Sequence, residues 1–595
     1  MFAAIIDTRA ANARREIDAV AGAIRGNPGP VRTWADDDGT LAVAAATTGI
    51  LPEDVFDRQP FVDGDLVFVC QARIDNRDEI LQALGVPPGQ RPQLADSDVA
   101  HRAYRRWGEA CVQRLTGDYA FAAHHRDSRR TIAAVNHVGS VRLHYAECDG
   151  LLIIAPQLNA LLACRRVPRE LNLTRLGLLV APKLGGIATP YVHVQMLRGG
   201  HLLCQQAGGR VTTRLWWRPD TTIRASYRDP NDYVRDAREI FDRAVAARLR
   251  ASGPIATTLS GGLDSTLVSA VAARHLEAQG REIFAYTSIP EPGLSCTVDR
   301  HMEASDWPYA VAVACGHHNM RHASVTPGGR CSLDILDAIH ARSRTSTRNT
   351  ANNLWYDTIA TRMAKSGARV LLTGDKGNAT ISYERGDNKT VRGFVVDSIA
   401  GLRALGRLAR RRAGNVERAG AIALTQEFRA RNDAALTRQP TDGGRPAMIR
   451  FMTAPQKAWC VDPIAQWNLE FRDPTADREL VERLLSFPMA AFAIGGRPRG
   501  LARAMGEGEI PDVVRLRTRR GAQVPELAGI IAAHAPKYRA ALEQVSRSSV
   551  VREIIDINEV QASLARVAAG RAANYEAPMI DRALDVAKFI AGGAA

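Results

Sequence analysis

GPIATTLSGGLDSTLVSAVAARHL, Gly253 to Leu276, is the stretch on which the fold turns. IATTL is a short apolar, β-branched run of buried-strand type, and from Asp264 onward apolar residues recur at three and four, which predicts a helix. Between them, SGGLDS (Ser260–Ser265) is a tight turn. Gly261 and Gly262 admit positive φ and let main-chain N–H groups approach a ligand with no Cβ in the way. Together with Ser260, Ser265 and the start of the helix they form an anion nest suited to phosphate. Asp264 would repel phosphate unless a cation stood between them, so its presence points to a magnesium-bridged pyrophosphate. The Gly-Lys-Ser/Thr ending of a kinase-type phosphate loop is absent from the turn.

Working outward, the same alternation continues. DYVRDAREIFDRAVAARLR (232–250) reads as a helix, and IFAYTSI (283–289) and RVLLTG (369–374) read as buried strands. Strands alternating with helices predict an α/β layer architecture around a parallel sheet. Toward the N-terminus the pattern changes. DLVFVCQARI (65–74) and TIAAVNHVG (131–139) are strand-like, with one helix predicted over 96–115 and Asp96 or Ser97 as its N-cap. RLWWRPDTT (214–222) reads as the linker to the second region, and the Arg-rich tract 401–445 as a basic helix pair, solvated or offered to an acidic peptide.

At 595 residues, two or three domains are expected. The net charge of +15 suits an acidic or phosphorylated ligand as well as nucleic acid, and no nucleic-acid partner is expected from it. Nine cysteines without paired spacing fit a reducing, cytoplasmic setting with neither disulfide framework nor zinc site. No apolar run reaches about 18 residues and the opening lacks a signal pattern, so no membrane partner is expected. His137, His317, His318 and His340 have no metal-like companions at fixed spacing. Trp216, Trp217 and Trp355 read as core or interface anchors.

SGGLDS is similar to the pyrophosphate loop of ATP pyrophosphatases, which cleave ATP between the α and β phosphates. The resemblance extends over nearly the whole chain, to the asparagine-synthetase-like family. ARIDNRDEI (72–80), the segment 96–127 and NHVGSVRLHYA (136–146) look like that family's glutaminase-type domain. DWPYAVAVACGHHN (306–319), VLLTGDKGN (370–378), LEFRDPTADRELVERLLSFP (469–488) and the stretch 497–522 follow its synthetase half in order. The resemblance implies an N-terminal Ntn-hydrolase-like (glutaminase-like, αββα) domain over 1–212. Over 213–595 it implies a parallel-sheet ATP-pyrophosphatase domain of the adenine nucleotide α hydrolase-like kind.

One departure matters most. Glutaminases of the family carry a nucleophilic Cys after the initiator Met, and here that position is Phe2. The first domain is therefore expected to release no ammonia, and Asn76 and Asp96, at glutamine-binding positions, are read as structural. Two branches lack that Cys: the β-lactam synthetases and the lasso peptide cyclases. Residues 348–382, with Gly-Asn-x-Thr-Ile-Ser after the strand, and RDPTADRELVERL (472–484) are similar to the cyclases.

The resemblance then implies an ATP-dependent cyclase that adenylates an Asp or Glu side chain of a precursor peptide. The activated carboxyl joins the peptide's N-terminal amine as an isopeptide macrolactam, with AMP and pyrophosphate released. Implied partners are a leader-peptide protease and a leader-recognition protein. The alternatives are another amide-forming member, β-lactam-synthetase-like or amidotransferase, and a non-catalytic ATP-binding relative. By the same resemblance Leu259, Ser288, Thr373 and Gly374 would hold the adenosine, and Ser260, Gly261, Gly262 and Ser265 the phosphates of ATP. Asp264 and Asn378 would hold Mg2+. Arg519, with Arg520 beside it, aligns with the family's late catalytic Lys; an exposed basic turn is the other reading. Asp375 and Glu470 fall where a base pair sits, and two neighbouring carboxylates would raise one pKa. Glu470 has a rival role as the partner of Arg472.

Overall fold

The computed structural model describes the chain except residues 10, 27–28, 182–188, 300, 348, 385–420, 434–435, 437–443, 454–460 and 594–595. In its N-terminal part, two six-stranded antiparallel sheets face one another. The first runs Val194–Met196, His144–Cys148, Leu151–Ala155, Phe2–Asp7, Leu41–Ala45, Arg32–Ala35 from edge to edge. The second runs Thr212–Leu215, His201–Gln206, Arg130–Val135, Gly117–His125, Leu66–Ile74, Phe61–Asp63. Alternation along each strand serves two cores. Phe2, Ala4 and Ile6 turn inward against Val67, Val69, Ala120 and Ala122, while Ala3 and Ile5 belong to the outer cluster with helices Ala13–Ala23 and Leu158–Ala163. Phe68 and Phe121 pack outward under helix Asp96–Trp107. The result is the expected αββα sandwich.

Three local expectations change. The helix predicted over 96–115 stops at Trp107, because Gly108 at φ +56 turns the chain before two short helical turns lead to Arg114. Its N-cap is Ala95 rather than Asp96 or Ser97. Asp96 is withdrawn inside, accepting from Ile74 N (2.6 Å), Arg77 (2.7 Å) and Arg250. The tract read as a linker starts within the strand Thr212–Leu215, which spans the expected limit at residue 212.

The C-terminal sheet has five parallel strands: β1 (Ile255–Thr258), β2 (Ile283–Ser288), β3 (Met320–Val325), β4 (Val370–Leu372) and β5 (Glu470–Arg472), in the order β3-β2-β1-β4-β5. Ile255, Val370 and Leu372 meet helices Pro230–Ala247 and Leu263–Glu277 on one face. Ala256 and Leu371 meet helix Thr350–Ser366 on the other. Coverage of both faces is why these strands are apolar throughout rather than alternating. Neighbours β1 and β4 mark the point where strand order reverses, and ligands of such sheets bind outside the carboxyl ends there.

The two parts are joined by direct bonds. His137 Nε2 bonds the carbonyl of Ala476 at 2.8 Å, Trp217 Nε1 donates to Glu482 at 2.7 Å, and Arg478 donates to the carbonyl of Gln113 at 2.9 Å. Helix Leu173–Val180 packs on the last long helix, Glu576–Ala591, so Leu176 and Leu179 share one apolar cluster with Met579 and Ile580. Among the described residues no helix is long and apolar enough to cross a membrane. Residues 401–420 of the basic tract lie outside the described residues; Gln426–Arg431 beyond them is helical.

Candidate functional site

The turn after β1 behaves as its glycines require. Gly261 sits at φ +65, where a Cβ would come within 2.9 Å of Tyr309 Cβ, and Gly262 is the N-cap of helix Leu263–Glu277. Ser260 Oγ and Ser265 Oγ are 2.7 Å apart, and Ser260 N donates to Ser265 Oγ at 3.2 Å, so the turn is braced before any ligand arrives. It opens into a cavity of about 1420 Å³. Leu259, Ser260, Gly261, Gly262, Asp264, Ser265, Ser288, Gly374, Asp375, Asn378, Arg519 and Arg520, all expected from the sequence, line it.

Asp264 is the acidic centre of this wall. As a residue it is half-buried, but its Oδ1 is sealed from solvent and has no hydrogen-bond partner. Burial pushes its pKa up to about 6, against Ser382, Arg499 and Arg520. A Cβ on Gly377 would overlap the Asp264 carboxyl group, so the glycine of GDKGN is what lets β4's loop close on Asp264. Asn378 Oδ1 accepts from Arg499 at 3.2 Å, so its use as a metal ligand requires Arg499 to move. Among the described residues no group of three His, Cys, Asp or Glu side chains could hold a metal. One carboxylate facing a phosphate nest nevertheless fits magnesium, which is commonly bound through one or two carboxylates plus substrate phosphates.

The late arginines divide their work. Arg519 is exposed in the cavity and makes no ion pair among the described residues. Arg520 pairs with Glu384. Arg517, which sequence reasoning passed over, is the anchor: its side chain is 6% exposed and bonds Asp306 at 2.7 Å and Glu303 at 2.6 Å. It also donates to the carbonyl of Gly261 at 3.3 Å and lies 3.8 Å above the Tyr309 ring. Arg517 thus ties the C-terminal signature to the glycine turn. No local signal separates them, since residues two apart share one face of an extended segment and both are arginine.

The expected carboxylate pair is corrected. Glu470 does not line this cavity. It accepts from Arg472 at 2.7 Å and Arg73 at 3.1 Å, and these two guanidiniums overcome burial and hold its pKa below the usual glutamate range. The carboxylate coupled to Asp375 is Asp473, pushed up to about 7 by burial and then by Asp375, although Lys376 N and Thr475 donate to it. Thr373 is also outside the cavity, buried with its N–H on the Arg472 carbonyl at 2.9 Å. Trp355, read as a core anchor, lines the cavity and stacks on Tyr356 with centroids 4.2 Å apart.

A second cavity, of about 120 Å³, lies inside the first sandwich where it meets β5. Cys70, Arg73, Asp118, Glu470 and Asp473 line it. Around Arg73 the charges are matched. Arg73 bonds Asp75, Asp118 and Glu470, and Arg73 with Arg248 holds Asp118 near pKa 2 despite its burial. Phe2 is 1% exposed and brings no nucleophilic atom. Asn76 accepts from Thr116 N at 2.9 Å and donates to the Arg114 carbonyl at 2.9 Å, a loop clamp in keeping with a structural role.

Two family profiles match different parts of the chain. The family profile described as asparagine synthase matches residues 236–584, and the profile described as a glutamine amidotransferase domain matches residues 50–163. Asparagine synthetase [glutamine-hydrolyzing] 3 of Bacillus subtilis is 27% identical over 38% of this chain and 37% of its own length. Carboxyethyl-arginine beta-lactam-synthase of Streptomyces clavuligerus is 28% identical over 35% of this chain and 37% of its own. The match therefore spans little more than a third of either relative. Among solved structures, glutamine phosphoribosylpyrophosphate amidotransferase from B. subtilis is similar at 14% identity and a TM-score of 0.25, covering 50% of this chain and 66% of that one.

Proposed function

We propose, from the premise that this chain belongs to the asparagine synthase family, whose profile matches more than half of its length, that it is an ATP-dependent ligase forming an amide bond. A substrate carboxylate is activated as its AMP ester with loss of pyrophosphate, and an amine then displaces AMP. The observation that carries this reading is the meeting in one cavity of a braced glycine turn, an Asp264 oxygen with no hydrogen-bond partner and an Arg519 with no ion pair, both among the described residues. Leu259, Ser288 and Gly374 lie where adenosine would be held, and the turn Ser260–Ser265 where the phosphates would be. A magnesium ion bound there would neutralise phosphate charge, with Asp264 as its protein ligand.

The chain's own groups supply positioning and charge. Helix Leu263–Glu277 presents its first N–H groups to the phosphates, and Arg517 fixes the turn from behind. Arg519 compensates charge that develops on phosphate or acyl oxygens. A permanently charged Arg moves no proton, so proton transfer falls to Asp375, which lines the cavity and whose charge helps burial push the neighbouring Asp473 up to about 7.

The finer reading is a lasso peptide cyclase working on a precursor peptide, with a leader-peptide protease and a leader-recognition protein as partners. Two observations favour it. Phe2 puts no nucleophile at the position where the family's glutaminases carry Cys, and about 1420 Å³ exceeds the usual range for a small-ligand pocket. A second reading, closure of a β-lactam, is favoured by the similarity to carboxyethyl-arginine beta-lactam-synthase. Pyrophosphate release from ATP separates them. Release with a precursor peptide whose core runs from Gly to Asp or Glu supports the cyclase, and release only with a small β-amino acid supports the lactam. Release with aspartate plus ammonia would return the chain to asparagine synthesis, and none under any condition would leave an ATP-binding relative.

A further inference from the structure

The large cavity holds a second buried carboxylate that neither nucleotide nor magnesium accounts for. Glu526 lines the cavity at the start of helix Leu527–Ala533 and is 2% exposed. Its carboxylate meets the N–H groups of Glu291 and of its own residue, yet Oε2 is sealed and has no hydrogen-bond partner. Burial, and beyond it the nearby Glu291, raise its pKa against those two N–H groups. Glu291 is itself fixed, accepting from Gly328 N at 2.7 Å. The segment is pinned by Thr297 N on the Pro525 carbonyl at 2.8 Å and Ile530 N on the Glu526 carbonyl at 2.9 Å. Arg499 and Arg520, which act on Asp264, do not figure among the charges acting on Glu526.

A buried acceptor oxygen without a donor carries a desolvation cost that a ligand can relieve. The chemistry of that ligand is constrained. A neutral hydroxyl, such as one of ribose, would give a donor but leave the repulsion between Glu526 and Glu291 uncompensated. A divalent ion would lack a third ligand among the described His, Cys, Asp and Glu side chains. A primary ammonium supplies both donors and charge. An amide-forming reaction needs an amine, and near neutral pH that amine arrives protonated. We propose that Glu526, backed by Glu291, is the receptor for the primary ammonium group of the amine substrate. This rests on the amide-forming reading above and names the group that recognises its nucleophile.

The full-length protein, saturated with a non-hydrolysable ATP analogue and Mg2+, would be titrated with triglycine amide and with its N-acetylated form, followed by calorimetry or by fluorescence of Trp355. The free amine should bind at least tenfold more tightly than the acetylated peptide. Glu526→Gln, nearly equal in volume, should erase that difference while changing nucleotide affinity less than twofold, and Glu291→Gln should narrow it about threefold. Unchanged melting temperatures would show that both variants fold. Equal binding of the two peptides by the wild type, or full discrimination retained by Glu526→Gln, overturns the assignment, as does loss of nucleotide affinity in its place, which would make ribose the ligand. If the wild type binds no nucleotide, the ATP reading falls, whereas the peptide titration repeated without nucleotide still decides the role of Glu526.

Discussion

The two cavities differ in how their charge is handled. Among the described residues, every buried polar side-chain atom lining the small cavity has a hydrogen-bond partner. The wall of the large one leaves Asp264 Oδ1 and Glu526 Oε2 without one, whereas its Arg499 and Arg517 are ion-paired with Glu384 and with Glu303 and Asp306. Matched buried charges stabilise a geometry and leave little free energy for a ligand to gain. Unmatched ones are maintained at a cost to folding that binding can offset. The contrast lies between the ion-paired cluster around Arg73 and the carboxylates Asp264 and Glu526, each with one oxygen lacking a donor.

The strongest way to break this contrast is at Asp264. Asp264→Asn should reduce ATP–pyrophosphate exchange by at least about 10³-fold, yet stabilise the fold. The sign follows from its pKa, raised from 3.8 to about 6. The folded state disfavours the ionised carboxyl, so wild-type stability declines as pH rises from about 4 to above 6, and the neutral amide escapes that decline. At pH 8 the variant should be more stable by about 3 kcal/mol. Melting curves at pH 4 and 8 would decide it, with a gain confined to the higher pH.

Arg517→Met comes next. It strands Glu303 and Asp306 beside the glycine turn and should cost about 3 kcal/mol in denaturant midpoint as well as pyrophosphate exchange. Adding Asp306→Asn should recover part of the stability and none of the exchange. Glu470→Gln tests the corrected pair. If Glu470 serves Arg73 and Arg472, the change should lower stability by about 2 kcal/mol at neutral pH and leave the pH dependence of turnover unaltered. For a carboxylate with a lowered pKa the stability it contributes is lost on acidification, so wild type and variant should converge in acid. The smallest effect is expected at Cys70, buried in the small cavity. Cys70→Ala should cost about 1 kcal/mol and leave exchange untouched. A loss of exchange there would dissolve the contrast.

What the sequence disclosed followed the range of the interactions involved. Strand, turn and helix at 253–276 were legible because periodicity and glycine act locally, and the αββα and parallel-sheet layers followed from resemblance and alternation. The end of the helix at Trp107 was missed because one glycine outweighed an unbroken amphipathic pattern, and the N-cap because Asp96 found arginines at positions 77 and 250. The base pair was misassigned because Glu470 and Asp473 lie three residues apart on β5 and its exit, and only the fold decides which meets Asp375 and which meets Arg73. Glu526 carries no local signature, since its meaning comes from Glu291, more than two hundred residues earlier.

The packing of Leu176 and Leu179 against Met579 and Ile580 has a corollary for truncation. A neighbour joined to a domain by a tether alone can be removed without harm to the domain. Here, removing it would strip the closing helix of its neighbour and leave a greasy stripe in water. Whatever chemistry each half carries, the two share one apolar seam, and neither can be cut away without wetting the other.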